Sequence, residues 1–236
     1  MIASVHVSDV GPCTALSILG KPPKPGRVDG LRHADAALAA PLRGSVRPAP
    51  DLGRIGLVAF WDDAAALDRF LADDPVAARL ADGWRVRLDP LRACGSWPGR
   101  SGDVATGRAT PHDGPAAVLT LGRLRMSQAI RFVRTSARAE RAVAHAPGLI
   151  WATGFGRAPF LATCSLWAAT QALSTYVYGQ RDPAHPGAIT ADATRPFHYR
   201  SAFIRFRPCD SPGHLEGRNP LAAGWMATPV RSVDAS

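Results

Sequence analysis

The feature that most constrains the fold is an internal repeat. An apolar segment ends in tryptophan in each half of the chain, "GLVAFW" at Trp61 and "TCSLW" at Trp167. A leucine follows each tryptophan at plus six and an aromatic residue at plus nine: Leu67 and Phe70, then Leu173 and Tyr176. Each copy later reaches an Asp-Pro pair and a strand-like segment with alternating arginine, "WRVRL" or "FIRF". Because such a repeat marks a supersecondary unit used twice, we predict two similar modules.

Each module is predicted to run strand, helix, strand, strand, helix, strand. In the second module "AAVLTLGRL" is strand-like, and a helix follows it with Ser127 as a candidate N-cap. The apolar stripe of that helix is Met126, Ile130, Val133, Ala137 and Ala144. In the first module "IASVHV" is the strand, and the prolines of "GKPPKPG" break or displace the helix behind it. Asp62 or Asp63 offers an N-cap for the later helix of that module.

This order predicts an α+β protein in which duplicated ferredoxin-like halves form a dimeric-α+β-barrel-type fold within one chain. The first half is predicted at residues 1–91, a turn-rich linker at 92–115, the second half at 116–207, and a loop or tail at 208–236. Sheets that pack against each other with helices outside leave room for a pocket between sheet and helices.

The formal net charge of +9 does not by itself indicate a nucleic-acid partner. All but two of the 28 basic residues are arginine, and they are scattered along the chain. No DNA- or RNA-recognition motif accompanies them. We therefore predict no nucleic-acid partner.

Other sequence features exclude several classes of function. The four cysteines have no zinc or c-type haem spacing, and we expect reduced thiols. No apolar run is long enough to span a bilayer and the start lacks the order of a secretory signal, so a cytoplasmic location without a membrane span is expected. The chain contains no P-loop, GxGxxG, HExxH or GxSxG motif.

Three local motifs, in order, resemble the spheroidene monooxygenases of carotenoid biosynthesis. They are "GSWPG" at 95–99, "GFGRAPFL" at 154–161 before the strand that ends in Trp167, and His185 with Ala188 and Ile189 behind it. The likeness spans residues 55–206, whereas the N-terminal third departs from the family at "GKPPKPG". The resemblance implies haem b, use of O2, an external electron donor such as a ferredoxin, and a barrel of the type found in chlorite dismutases and aldoxime dehydratases. It leaves a homo-oligomer open.

His185 is the iron ligand that this resemblance implies. A b-type haem needs one neutral, oriented protein ligand, and imidazole is the usual one. Pro186 disfavours helical dihedrals at His185 and suits the first position of a helix, whose positive end would disfavour imidazolium. The first module has Ala77 near the equivalent position, so a single cofactor site is expected, in the second module. A surface loop histidine is the alternative interpretation of His185.

Further site residues are proposed around this ligand. His198 is the second candidate for the iron, followed by His145 and Tyr199. The haem propionates would pair with the arginines nearest His185 in sequence, which are Arg181, Arg195 and Arg200. Phe155 is expected to line an apolar cavity, and Trp97 either covers one face of a pocket or plugs the end of the barrel.

A row of arginines follows one face of the helix predicted behind Ser127. Arg131, Arg134, Arg138 and Arg141 recur at helical spacing opposite the apolar stripe. Such a row is typical of a solvated outer face, and it also suits docking of an acidic electron carrier such as a ferredoxin.

Three functions are compatible with these features. The first is a haem-dependent monooxygenase that acts on an apolar or moderately polar small molecule, with O2 as co-substrate, in specialised metabolite biosynthesis. The second is a haem-dependent dehydratase, lyase or nitrogen-heteroatom bond-forming enzyme. The third is a non-catalytic ligand-binding barrel.

Overall fold

The computed structural model describes residues 1–42, 51–107, 112–144, 146–178 and 196–222. The first module contains β1 (Ile2–Asp9), α1 (Pro12–Gly20), β2 (Leu31–Pro41), β3 (Arg54–Trp61), α2 (Ala64–Asp73), α3 (Pro75–Arg79) and β4 (Trp84–Gly95). The second contains β5 (Ala116–Leu124), a 3-10 turn (Met126–Gln128), α4 (Ala129–Ala144), β6 (Leu149–Arg157), β7 (Phe160–Trp167), α5 (Thr170–Tyr178) and β8 (His198–Asp210). Among these residues no helix is both long and apolar enough to cross a membrane.

The strands form a closed barrel in the order β1-β3-β2-β6-β7-β5-β8-β4. Each module supplies four neighbouring strands, and both modules use the same internal order, with the first strand between the third and the fourth. Antiparallel pairs β2–β6 and β4–β8 join the modules. This arrangement confirms the predicted α+β fold of duplicated ferredoxin-like halves.

Apolar side chains pack in three separate layers. The inward residues of all eight strands fill the barrel, among them Val5, Phe60, Trp84, Leu119 and Phe206. The outer face of the first module is covered by its helices, and the outer face of the second module carries a smaller cluster around Trp167. The barrel interior is therefore a packed core.

The two repeated tryptophans play the same part in both modules. Trp61 packs on Phe70 of α2 with ring centroids 4.9 Å apart, and its Nε1 donates to Ser4 Oγ at 2.9 Å. Trp167 packs on Tyr176 of α5 at 5.2 Å, and its Nε1 donates to Ser165 Oγ at 2.9 Å. The plus-nine spacing thus reflects a strand-end indole that anchors the next helix against the sheet.

The local predictions are corrected at several positions. Helix α1 forms before the prolines and ends at Gly20, where "GKPPKPG" begins. Ser127 does not cap a helix, because it lies inside the 3-10 turn that precedes α4. Strand β4 continues to Gly95, past the predicted start of the linker, and β8 continues to Asp210, past the predicted start of the tail. Of the two candidate caps, Asp63 accepts the backbone N–H of Ala66 at 2.8 Å.

Candidate functional site

The outer face of the second module is less covered than that of the first. Along β3 the outward side chains of Ile55, Leu57 and Ala59 are fully buried beneath helices. When Trp61 is aligned with Trp167, their counterparts in β7 are Leu161, Thr163 and Ser165. Leu161 and Thr163 are only half-buried. Burial of the same strand position therefore differs between the modules, and the second module keeps an accessible sheet surface.

Small residues form much of this surface, which we call the open face. It consists of outward positions on β5 to β8: Thr120, Gly122, Gly154, Gly156, Thr163 and Ser201. A Cβ added at Gly156 would meet nothing closer than the Leu161 side chain at 3.8 Å, so this position borders free space. Glycine inside a strand weakens the strand, and it often marks a place where a ligand or another backbone comes close.

His198 lies on this face against Gly122. A Cβ at Gly122 would stand 2.5 Å from Cδ2 and 2.6 Å from Nε2 of the imidazole, so this edge of the ring rests on the sheet. The ring also contacts Phe132 of α4 edge-on at a centroid distance of 5.2 Å, and Phe197 at 6.4 Å. The second candidate ligand is thus held by packing, with Nε2 against Gly122 of the sheet.

Arg200 lies on the opposite side of the sheet from His198. It pairs in register with Arg123, beyond the interior pair Leu121–Ala202, and a register shift separates it from His198. The structure therefore does not bring Arg200 together with His198. Arg131 does approach this region, with its guanidinium carbon 4.3 Å from the centre of the Phe197 ring. The contact between Arg131 and Phe197 could not be predicted from the helical spacing of the arginines.

Phe155 and Trp97 belong to the barrel interior. Phe155 is 3% exposed, and its ring occupies the space above Gly56 where a Cβ would otherwise stand. Trp97 is 5% exposed and packs 5.9 Å from Phe160, so it plugs the barrel. Neither side chain lines the open face.

A polar cluster that the sequence analysis missed lies inside the barrel, next to Trp97. His33 Nε2 and Asp35 Oδ2 are 2.8 Å apart, and Arg123 Nη2 donates to Asp35 Oδ1 at 2.5 Å. The guanidinium of Arg123 packs against the rings of Trp97 and Phe160. Alternation along "LRHADAALAA" would have placed His33 and Asp35 on one side of a strand, had that strand been recognised. This ion pair connects the two modules.

Several predicted site residues lie outside the described residues. They are His185, Arg181, Arg195 and His145, together with the side chains of Arg138 and Arg141. In the chain His185 falls between α5 and β8, and both elements border the open face. Within the described ranges no group of three His, Cys, Asp or Glu is placed to hold a metal ion.

The described residues fit a flat apolar group at the open face. The free space beside Gly156 and the small outward side chains allow close approach to the sheet. Leu161 and Phe203, both half-buried, supply apolar contact at its edges. A single-ligand group such as haem b needs one imidazole from the protein and no ligand cluster.

Two comparisons with known proteins bear on this chain. It is 35% identical over 175 residues to spheroidene monooxygenase of Rubrivivax gelatinosus, a match that covers 72% of this chain and 66% of the relative. The chain thus spans slightly less than two thirds of the length of that relative. The fold of this chain is similar to that in a crystal structure of aldoxime dehydratase, with a TM-score of 0.54 and 11% sequence identity. The match covers 93% of this chain and 86% of the dehydratase chain. A second crystal structure of an aldoxime dehydratase, in complex with butyraldoxime, matches with a TM-score of 0.53 and 10% sequence identity. This match covers 93% of this chain and 84% of the dehydratase chain. No family model matches the chain.

Proposed function

We propose that the chain belongs to the spheroidene monooxygenase-like family, as its 35% identity to spheroidene monooxygenase supports, and that it is a haem-dependent monooxygenase of an apolar or moderately polar small molecule. The family likeness supports the monooxygenase activity. The open face of the second module supports the place of the cofactor, because a sheet surface with glycines and free space suits a planar ligand.

In this proposal His185 holds the iron of haem b, and Arg181 and Arg195 pair with the propionates. Arg200 is left out because it lies across the sheet from the open face. When bound, the haem would activate O2 with electrons from an external donor such as a ferredoxin, and that chemistry belongs to the cofactor.

Several described residues would help to shape the proposed site. Gly122 and the rings of Phe132 and Phe197 fix the orientation of His198, and His198 thereby closes one end of the open face. Leu161 and Phe203 exclude water from the edge of a bound flat group. The packed barrel interior offers no second place for a ligand of this size, since Phe155, Trp97 and Phe206 fill it.

The test is a haem titration of the full chain followed by its Soret absorbance. We expect His185→Ala to abolish the band, whereas His198→Ala keeps the band with an altered position or intensity. His214→Ala is the matched control, because His214 is exposed and lies in the segment after β8. A band lost in His198→Ala but unchanged in His185→Ala would move the ligand, and a wild-type protein without a band would refute the haem.

Oxygen dependence separates the proposed reaction from its alternatives. Candidate substrates should be converted only when O2 and reductant are both present. Conversion without O2 would favour the dehydratase or lyase alternative, and haem binding without any conversion would favour a carrier.

A further inference from the structure

The start of α4 exposes apolar side chains at one corner of the second module. Met126 is 60% exposed, Ile130 is 72% exposed and Tyr199 is 57% exposed. They are three of the five most exposed large apolar residues in the described part of the chain; the other two are Leu16 and Leu52. Clustered exposure of this kind marks an interaction site more often than single exposed residues do.

The apolar stripe of α4 is exposed at its start and becomes buried further along the helix. Further along the stripe Val133 is half-buried and Ala137 is 1% exposed. Ile130 and Met126 lie about one and two turns before Val133 and are mostly exposed. The stripe is therefore continuous in sequence, whereas its first two residues are mostly exposed.

The backbone of Tyr199 lies next to the start of α4. The backbone N–H of Arg125 donates to the carbonyl of Phe197 at 2.8 Å, and Leu124 pairs with His198. Tyr199 follows His198 directly and is exposed. We call Arg125, Met126, Ile130, Arg134 and Tyr199 the α4 corner.

The charge of this corner is entirely positive. Segment 124–137 contains Arg125, Arg131 and Arg134, and neither this segment nor segment 196–202 contains Asp or Glu. Arg125 and Arg134 are exposed. The apolar side chains at the start of α4 are thus accompanied by two exposed cations, Arg125 and Arg134.

We propose that the α4 corner docks on an anionic lipid surface. Met126, Ile130 and Tyr199 would enter the headgroup region, and the arginines would lie among lipid phosphates, as in interfacial amphipathic helices. Tyrosine suits this boundary because its ring is apolar and its hydroxyl is polar. Side chains that protrude from a helix need no complementary pocket in a lipid surface, whereas a protein partner must supply one.

A second copy of this chain is a poorer occupant of the corner. In a two-fold contact the same surface meets itself, so the arginines of one copy would face those of the other. Such like-charge contacts oppose association. Membrane docking needs neither haem nor O2, so this inference stands apart from the proposed function.

The test is sedimentation of the full chain with vesicles. Binding is expected with an equimolar mixture of phosphatidylglycerol and phosphatidylcholine, and little binding with phosphatidylcholine alone. Met126→Ser with Ile130→Ser should weaken binding by about tenfold or more. Arg125→Gln with Arg134→Gln should weaken it by about thirtyfold at low salt, and added salt should abolish that difference.

Leu16→Ser with Leu52→Ser is the matched control, since these residues are 64% and 58% exposed elsewhere on the surface. It should bind vesicles as the wild type does, and all variants should keep the wild-type circular dichroism spectrum. Equal loss in the control variant, or no preference for anionic vesicles, would overturn the proposal. So would concentration-dependent self-association that disappears in Met126→Ser with Ile130→Ser, because a second copy would then cover the corner.

Discussion

The His198 ring fits against the sheet because residue 122 is a glycine without a side chain. The imidazole occupies the volume that a side chain at position 122 would need, and Phe132 closes it from the other side. The sequence alone identified His198 as a candidate ligand, since any histidine near the proposed site qualifies. It did not reveal the packing role, because the contact partners come from β5 and α4, which are distant in the chain.

Gly122→Ala should destabilise the protein by about 1–3 kcal/mol, because the new methyl group must displace the His198 ring. Gly156→Ala is the matched control, since it lies in the same sheet beside free space and should change the free energy of unfolding by less than about 0.5 kcal/mol. Urea denaturation measures both. Equal effects of the two substitutions would contradict the assigned position of His198.

His6 is a second histidine whose surroundings could not be read from its neighbours in sequence. It is 2% exposed on the outer face of the first module, and its Nε2 is 3.1 Å from Ser4 Oγ. Burial, assisted by the nearby charge of Arg85, lowers the pKa of His6 from 6.5 to about 3. The folded protein therefore keeps this imidazole neutral.

This lowered pKa of His6 predicts a loss of stability in acid. Below about pH 6.5 the unfolded chain takes up a proton at His6 and the folded chain does not, so the free energy of unfolding falls as pH falls, by up to about 1.4 kcal/mol per pH unit, until the folded pKa is reached. Urea denaturation between about pH 7 and about pH 4.5 measures this slope. His6→Gln should flatten the slope, and an unchanged slope in that variant would show that His6 is not the group responsible.

Among the elements, strands made of continuous apolar residues were predicted correctly. β3, β5 and β7 are continuous apolar runs between turn signals, and the structure places strands there. β2 was missed because "LRHADAALAAP" combines small alanines with two inward polar residues, His33 and Asp35. The pairing of Asp35 with Arg123 of the other module stabilises this arrangement. The start of α4 was misplaced because a 3-10 turn carries the first apolar residue of the stripe.

The start of α2 offers a test of element formation, because two adjacent aspartates have different roles. Asp63 accepts the backbone N–H of Ala66, whereas Asp62 is 63% exposed and 3.7 Å from Arg32. Asp63→Ala should cost about 1 kcal/mol through loss of the cap. Asp62→Ala should cost less than about 0.5 kcal/mol. Thermal unfolding of both variants decides between these residues, and the reverse order would assign the cap to Asp62.

At the scale of the whole molecule, the repeat was sufficient to predict a duplicated barrel. It was not sufficient to show which strands form the seams, since β2–β6 and β4–β8 pairing depends on contacts between modules. The asymmetry of the outer faces was present in the aligned repeat, where Leu57 corresponds to Thr163 and Ala59 to Ser165. Its meaning emerged only when the structure showed how the helices cover one face more fully than the other.

We propose that the outer face of the second module alone holds the cofactor. Hydrogen exchange of the full chain with and without haem b tests it directly. We predict slower exchange in β5, β7 and the facing helices α4 and α5 when haem is bound, with α2 and β3 unchanged. Slower exchange confined to the first module, or none in the second module when haem is bound, would contradict the account.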